Sequence, residues 1–171
     1  VSQPTRPRGA AGRGPGGGGS APGGSARVRR GLLDEGHDVV GLARSPVEPI
    51  DHLYTIPTDV SDERQVKKAF ALIDQRYPCP PSVFIHNTAE LLINPFLQTS
   101  PAAFEKVWRS MTLSAAMTSA ECLNRMLKQG DGTMIFSGAT AGIKAAANFS
   151  AFASAKFALR GLVQSLAREF Q

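Results

Sequence analysis

From Leu32 onward, four short apolar runs alternate with longer stretches of helical periodicity. The runs lie in "GHDVVGL" (a strand expected around Asp38–Leu42), "HLYTIPTD", "PSVFIHNTA" and "GTMIFSGAT". Each is short, bounded by turn residues and rich in β-branched or aromatic side chains, which reads as strand. Between them, "SDERQVKKAFALIDQRY" puts Val66, Phe70 and Ile73 on one helical face, with Ser61 as the expected N-cap. "SPAAFEKVWRSMTLSAAMTSAECLNRMLKQG" reads as one long helix, capped by Ser100, opened by Pro101 and ended by Gly130. A helix end stopped by Gly36 precedes the first run, and a last helix starts near Ser150. Short apolar strands joined through helices predict a parallel sheet covered on both faces, an α/β, Rossmann-like doubly wound arrangement.

The stretch before Leu32 has another character. Residues 1–30 hold nine glycines, four prolines and six arginines with no acid, a charge of +6. Residues 31–171 hold 13 Lys/Arg against 14 Asp/Glu, so the net +5 of the chain belongs to its first thirty residues. We therefore expect a low-complexity, disordered segment over 1–30 and a folded domain over 31–171. A basic nucleic-acid-binding face on the domain is not indicated, and no aromatic residue interleaves the arginines to stack bases. No apolar run approaches the ~18 residues of a membrane span, and no secretory leader is evident. Cys79 and Cys122 stand far apart, without a CxxC or Cys/His cluster. They predict reduced thiols in a cytoplasmic protein and no metal site.

Four motifs then occur in order: Asp59-Val60 after the second run, "HNTA" at 86–89, "IFSGATAG" at 135–142, and "FASAKFALRGL" around Lys156. Together they make residues 31–171 resemble a short-chain dehydrogenase/reductase, a family of NAD(P)-dependent oxidoreductases. The resemblance implies that Asp59 and Val60 meet the adenine ring and that Asn87, Thr88 and Ala89 line the cofactor. It implies that Lys156 grips the nicotinamide ribose. Such enzymes move a hydride to or from a carbonyl or alcohol carbon while a tyrosine, its pKa lowered by the lysine one turn on, moves the proton. A serine polarises the substrate oxygen, and an asparagine holds a relay water.

Measured against that set, Lys156 is retained, but Phe152 stands at the tyrosine position, Ala139 at the serine position and Met111 at the asparagine position. None of these three side chains can hydrogen-bond. Ser137, Thr140 and Ser150 are the nearby hydroxyls that could substitute. The phosphate loop of the family falls on Gly19 and Gly23, with Ser25 in the third place. A G-x-G-x-x-G match at 12–17 sits nowhere useful, and no apolar strand precedes the loop. Ala43 and Arg44 follow the first run, where a guanidinium suits a 2′-phosphate, so NADP is expected over NAD.

Against the family pattern, the first strand and the C-terminal strands are missing or replaced. The change of texture near residue 31 is what an out-of-frame or wrongly started N-terminus leaves. The expected function is an NADP-dependent oxidoreductase of a small carbonyl or alcohol substrate, catalytically impaired. The other reading is a non-catalytic dinucleotide-binding or dimerising homologue. The resemblance implies a homo-oligomer through the two long helices, with no nucleic acid or membrane as partner.

Overall fold

Helix α1 (Gly24–Asp34) opens the part of the chain that the computed structural model describes, residues 24–45 and 50–170. It runs across the boundary that composition places at residue 31. Arg27, Arg29 and Arg30 read as tail charge, yet arginine loses little rotamer freedom in a helix and continues "GLLD" backwards without a break. Gly19 and Gly23 lie outside the described residues.

A turn at Gly36 leads into β1 (Val39–Ala43), which pairs in parallel with β2 (Leu53–Pro57), from Val39 opposite Leu53 to Ala43 opposite Pro57. Helix α2 (Glu63–Arg76) follows, and its N-cap is Asp62 rather than the expected Ser61. The Asp62 carboxylate accepts from the amides of Arg64 and Gln65 at 2.9 and 3.2 Å. The Ser61 hydroxyl instead donates to Asp59 at 2.7 Å. Strand β3 (Val83–His86) pairs in parallel with β4 (Thr133–Phe136).

The long helix between them is real but not uniform. It comprises α3 (Pro101–Trp108), a π-helical turn over Arg109–Leu113, and α4 (Ser114–Gln129). Ser100 caps it as expected, its hydroxyl accepting from the Ala103 amide at 3.2 Å. At the other end Gly130 takes φ +78°, a conformation that costs a residue with a side chain. Helix α5 (Ser150–Glu169) closes the order.

Among the described residues the strands form two separate parallel pairs, β1–β2 and β3–β4. One core nevertheless spans both. Leu42 of β1, Phe84 of β3 and Met134 of β4 pack on Val66 and Phe70 of α2 and on Cys122 and Met126 of α4. Burial pushes the Cys122 thiol up to about 12, so it behaves as a small apolar group. Gly41, beside Leu42, points to the opposite face, where a Cβ would lie 3.9 Å from Arg29 of α1. So α1 covers the far side of the first pair. The far side of the second is open, with Val83 and Ile135 exposed at 42% and 47%. Cover on both faces therefore holds for β1–β2 only, because the single described helix on that side rests on β1.

Two further contacts fix the helical layer. Arg125 of α4 grips Asp74 of α2 through both carboxylate oxygens, at 2.8 and 2.7 Å, and lies over the Phe70 ring. Thr112 donates to the Ala155 carbonyl at 2.9 Å, where the small residues of α5 let the helices approach closely.

Candidate functional site

Where the strands end, their following loops enclose a cleft of about 590 Å³. Ala43 and Arg44 come to it from β1, Thr58 to Ser61 from β2, and Asn87 to Glu90 from β3. Helix α3 and its π turn supply Glu105, Lys106, Arg109 and Ser110. Openings at the carboxyl ends of parallel strands are where α/β sheets bind ligands.

Local hydrogen bonding sets the shape of the cleft. Asp59 accepts from the Ser61 amide at 2.9 Å and its hydroxyl at 2.7 Å, which holds its carboxyl below the usual range, and Arg44 nearby adds to this. The Asp59 amide donates to the Gln65 side chain at 2.9 Å. Asn87 donates to the Ser25 hydroxyl at 3.1 Å, which ties the end of β3 to the first turn of α1. Lys106 pairs with Glu90 at 2.8 Å, whereas Arg109 reaches Glu105 only at 3.8 Å. So Arg44, Asp59, Val60, Asn87, Thr88 and Ala89, far apart in sequence, surround one space.

The four positions matched to the family's catalytic set are not among the residues that line that space. Met111 sits in the π turn at 0% exposure, and Phe152 stands in the first turn of α5. Both belong to one apolar cluster with Val107, Ala151, Ala155, Leu92 and Phe104. The Phe149 and Phe152 rings meet edge to face, 6.5 Å between centroids. Ala139 opens the short 3₁₀ turn Thr140–Gly142. A Cβ at Gly142 would come within 3.0 Å of the Lys156 carbonyl, so this turn rests directly on α5.

Lys156 is buried at 4% exposure. Its ammonium donates to the Ser137 carbonyl at 2.8 Å and lies 6.0 Å from the centre of the Phe152 ring. Burial draws its pKa below that of an ordinary lysine. Of the candidate substitute hydroxyls, Thr140 is exposed, and the buried Ser150 oxygen has no hydrogen-bond partner among the described residues. No group of three His, Cys, Asp or Glu side chains gathers as metal ligands among these residues.

Sequence reasoning gave no role to His86, which the fold places at the junction of the two regions. Its ring is 4% exposed between Phe84 and Phe136, with Nε2 at 3.3 Å from the Ser114 hydroxyl. That hydroxyl donates to the Ser110 carbonyl at 2.6 Å, so its oxygen accepts from His86. Burial depresses the His86 pKa to about 4, the Met111 carbonyl works the other way, and Lys156 adds to the depression. Arg109 and Lys106 were passed over as well. Only the fold brings them to the cleft.

A family model described as short chain dehydrogenase matches residues 20–171, beginning eleven residues before the segment on which the motifs were read. The 3-oxoacyl-[acyl-carrier-protein] reductase MabA of Mycobacterium tuberculosis (strain ATCC 25618 / H37Rv) is 29% identical over 143 residues, 83% of this chain and 57% of that protein. The chain thus spans little more than half the length of this curated relative. The structure of 4-hydroxyisoleucine dehydrogenase complexed with NADH and succinate superposes with a TM-score of 0.78 at 23% identity, over 86% of this chain and 68% of that one. A tyrosine-to-phenylalanine variant of ElxO with NADPH bound also gives a TM-score of 0.78, at 20% identity, over 85% of this chain and 62% of that one.

Proposed function

The chain belongs to the short-chain dehydrogenase family, and from that premise we propose that it is an NADP(H)-binding member whose proton-transfer chemistry is impaired. One observation carries the reading. Arg44, Asp59, Val60, Asn87, Thr88 and Ala89, all matched to the family's cofactor contacts, line a single cleft, while the retained Lys156 and the apolar Phe152, Ala139 and Met111 are not among its lining.

Arg44, following β1, suits a 2′-phosphate. Asp59 and Val60 are suited to the adenine edge, and Asn87, Thr88 and Ala89 to the adjoining part of the cofactor. NADP(H), when bound, supplies or accepts the hydride for a small carbonyl or alcohol substrate. The proton is where this chain falls short. Losing a general acid costs about 10²–10⁴-fold in rate, and losing a hydroxyl that polarises the oxygen about 10²–10³-fold. Met111 and Phe152 share one apolar cluster, which also favours the second reading, a non-catalytic dinucleotide-binding or dimerising homologue. For the latter role, Trp108, Leu127 and Phe157 leave apolar surface exposed on α3, α4 and α5. Two unpaired thiols suit a cytoplasmic setting. No helix among the described residues is long and apolar enough to cross a membrane.

Calorimetric titration with NADPH and with NADH tests the reading. We expect NADPH to saturate the protein and Arg44→Ala to weaken it about tenfold, with NADH little affected by the substitution. No saturation by either at about 1 mM, a level typical of weak ligands, would end the cofactor assignment.

A further inference from the structure

We propose that His86 is a positioning residue for the cleft: its hydrogen bond to Ser114 holds the π turn closed, and that turn decides which face of α3 forms the wall. The proposal rests on the cofactor reading above only for what the cleft binds.

The wall is built at helical spacing. Ala102, Glu105, Lys106 and Arg109 line the cleft at i, i+3, i+4 and i+7, so they lie on one face. Beyond them the chain is fixed elsewhere. Thr112 is tied to the Ala155 carbonyl of α5, and Arg125 ties α4 to Asp74 of α2. A π turn holds one residue more than an α turn, and each residue advances a helix by about 100°. With α4 fixed, losing the extra residue would rotate α3 by about that angle and carry Lys106 and Arg109 off the cleft.

The bonding of the turn runs through Ser114. Its amide donates to the Arg109 carbonyl, five residues back, where a regular α-helix would send it to Ser110. The Ser110 carbonyl receives the Ser114 hydroxyl, at 2.6 Å. With its proton committed there, the Ser114 oxygen accepts, and the buried donor facing it is His86 Nε2 at 3.3 Å. The ring also meets the Met111 backbone, a second point on the same turn. Asn87, the next residue along, lines the cleft as well. One imidazole at the end of β3 thus ties what β3 brings to the cleft to what α3 brings.

The test joins amide exchange, followed by NMR on the full chain, to calorimetric titration with NADPH. His86→Phe keeps a ring between Phe84 and Phe136 but removes the donor, Ser114→Ala removes the acceptor, and His86→Gln returns an N–H at the reach of Nε2. We expect the first two to speed exchange of the Ser114 amide about tenfold and to weaken NADPH about five- to tenfold. His86→Gln should stay within about twofold of the parent in both, and the β1–β2 amides should keep parental rates throughout. Ser114→Ala only shortens a helical side chain, so it decides the matter if His86→Phe fails to fold. Parental exchange or parental NADPH affinity in Ser114→Ala would overturn the proposal, as would His86→Gln behaving like His86→Phe. If the parent itself does not bind NADPH, the cofactor reading falls, and the exchange rates alone uphold or overturn the hold of His86 on the turn.

Discussion

Acidifying the protein should unfold it through His86, and the size of the effect follows from where the ring sits. Neutral His86 is enclosed by Phe84, Phe136 and the Ser114 hydroxyl, with its pKa near 4 against 6.5 for a free imidazole. The unfolded chain therefore takes up a proton that the folded chain refuses. The stability due to the neutral ring is fully present above pH 6.5 and is lost as the pH falls toward 4. Between pH 7.5 and pH 5 the loss is about 2 kcal/mol, approaching about 3 kcal/mol below pH 4. Urea unfolding followed by circular dichroism at a series of pH values measures it. His86→Asn keeps a donor near Ser114 but does not titrate, so the variant should be less stable at neutral pH and should lack this part of the pH slope. A variant with the same slope as the parent between pH 7.5 and pH 5 would refute the reasoning, as would an NMR titration placing the His86 pKa near 6.5.

Restoring hydroxyls at Phe152 and Ala139 together (F152Y, A139S) should not produce measurable NADPH-dependent carbonyl reduction, because neither change frees Lys156 from Ser137. The tyrosine hydroxyl, placed against the Met111 cluster, should cost about 1 kcal/mol or more in urea unfolding. Clear turnover by the double variant would show that the acid/base positions still open to the cofactor. With a thiol reagent, exposed Cys79 should react at once, whereas buried Cys122, its pKa near 12, should react only on unfolding. Two equally fast thiols would contradict the packing of α4. Arg125→Lys should lose about 1–2 kcal/mol despite keeping the charge, because an ammonium cannot reproduce the two-pronged contact with Asp74. An unchanged denaturation midpoint would reduce that contact to a surface pair.

Where local chemistry decides an element, the sequence was enough. Ser100, Pro101 and Gly130 bracket the long helix because capping and positive φ depend on a few neighbouring atoms. Short apolar runs bounded by turn residues, such as those around Leu42 and Phe84, carry the strands. Ser61 was misjudged as a cap because two adjacent oxygens competed, and the carboxylate of Asp62 took the free amides. The π turn at Arg109–Leu113 was not legible at all. It inserts one residue's worth of rotation without changing the apolar pattern. Residues that share the cleft were found through motif order, since Asp59 and Asn87 are brought together only by strand pairing. Arg109 and His86 needed the fold itself, one because only strand and helix packing bring its helix to the cleft, the other because burial gave an ordinary imidazole its depressed pKa.

That the described residues form two strand pairs without a shared backbone ladder has a mechanical consequence. Within each pair, amide protons are locked by hydrogen bonds; from one pair to the other, the described connection is an oily seam of Leu42, Phe84 and Met134 against α2 and α4. A seam of dispersion and excluded water resists compression but yields to sliding far more readily than a ladder does. The amides of β1–β2 and those of β3–β4 should then exchange with solvent at two distinct opening energies, the first set released by motions that leave the second intact. Two such opening energies would mark the two described pairs as plates on a greased joint, with Arg125, bridging α2 to α4, as the pin that limits their travel.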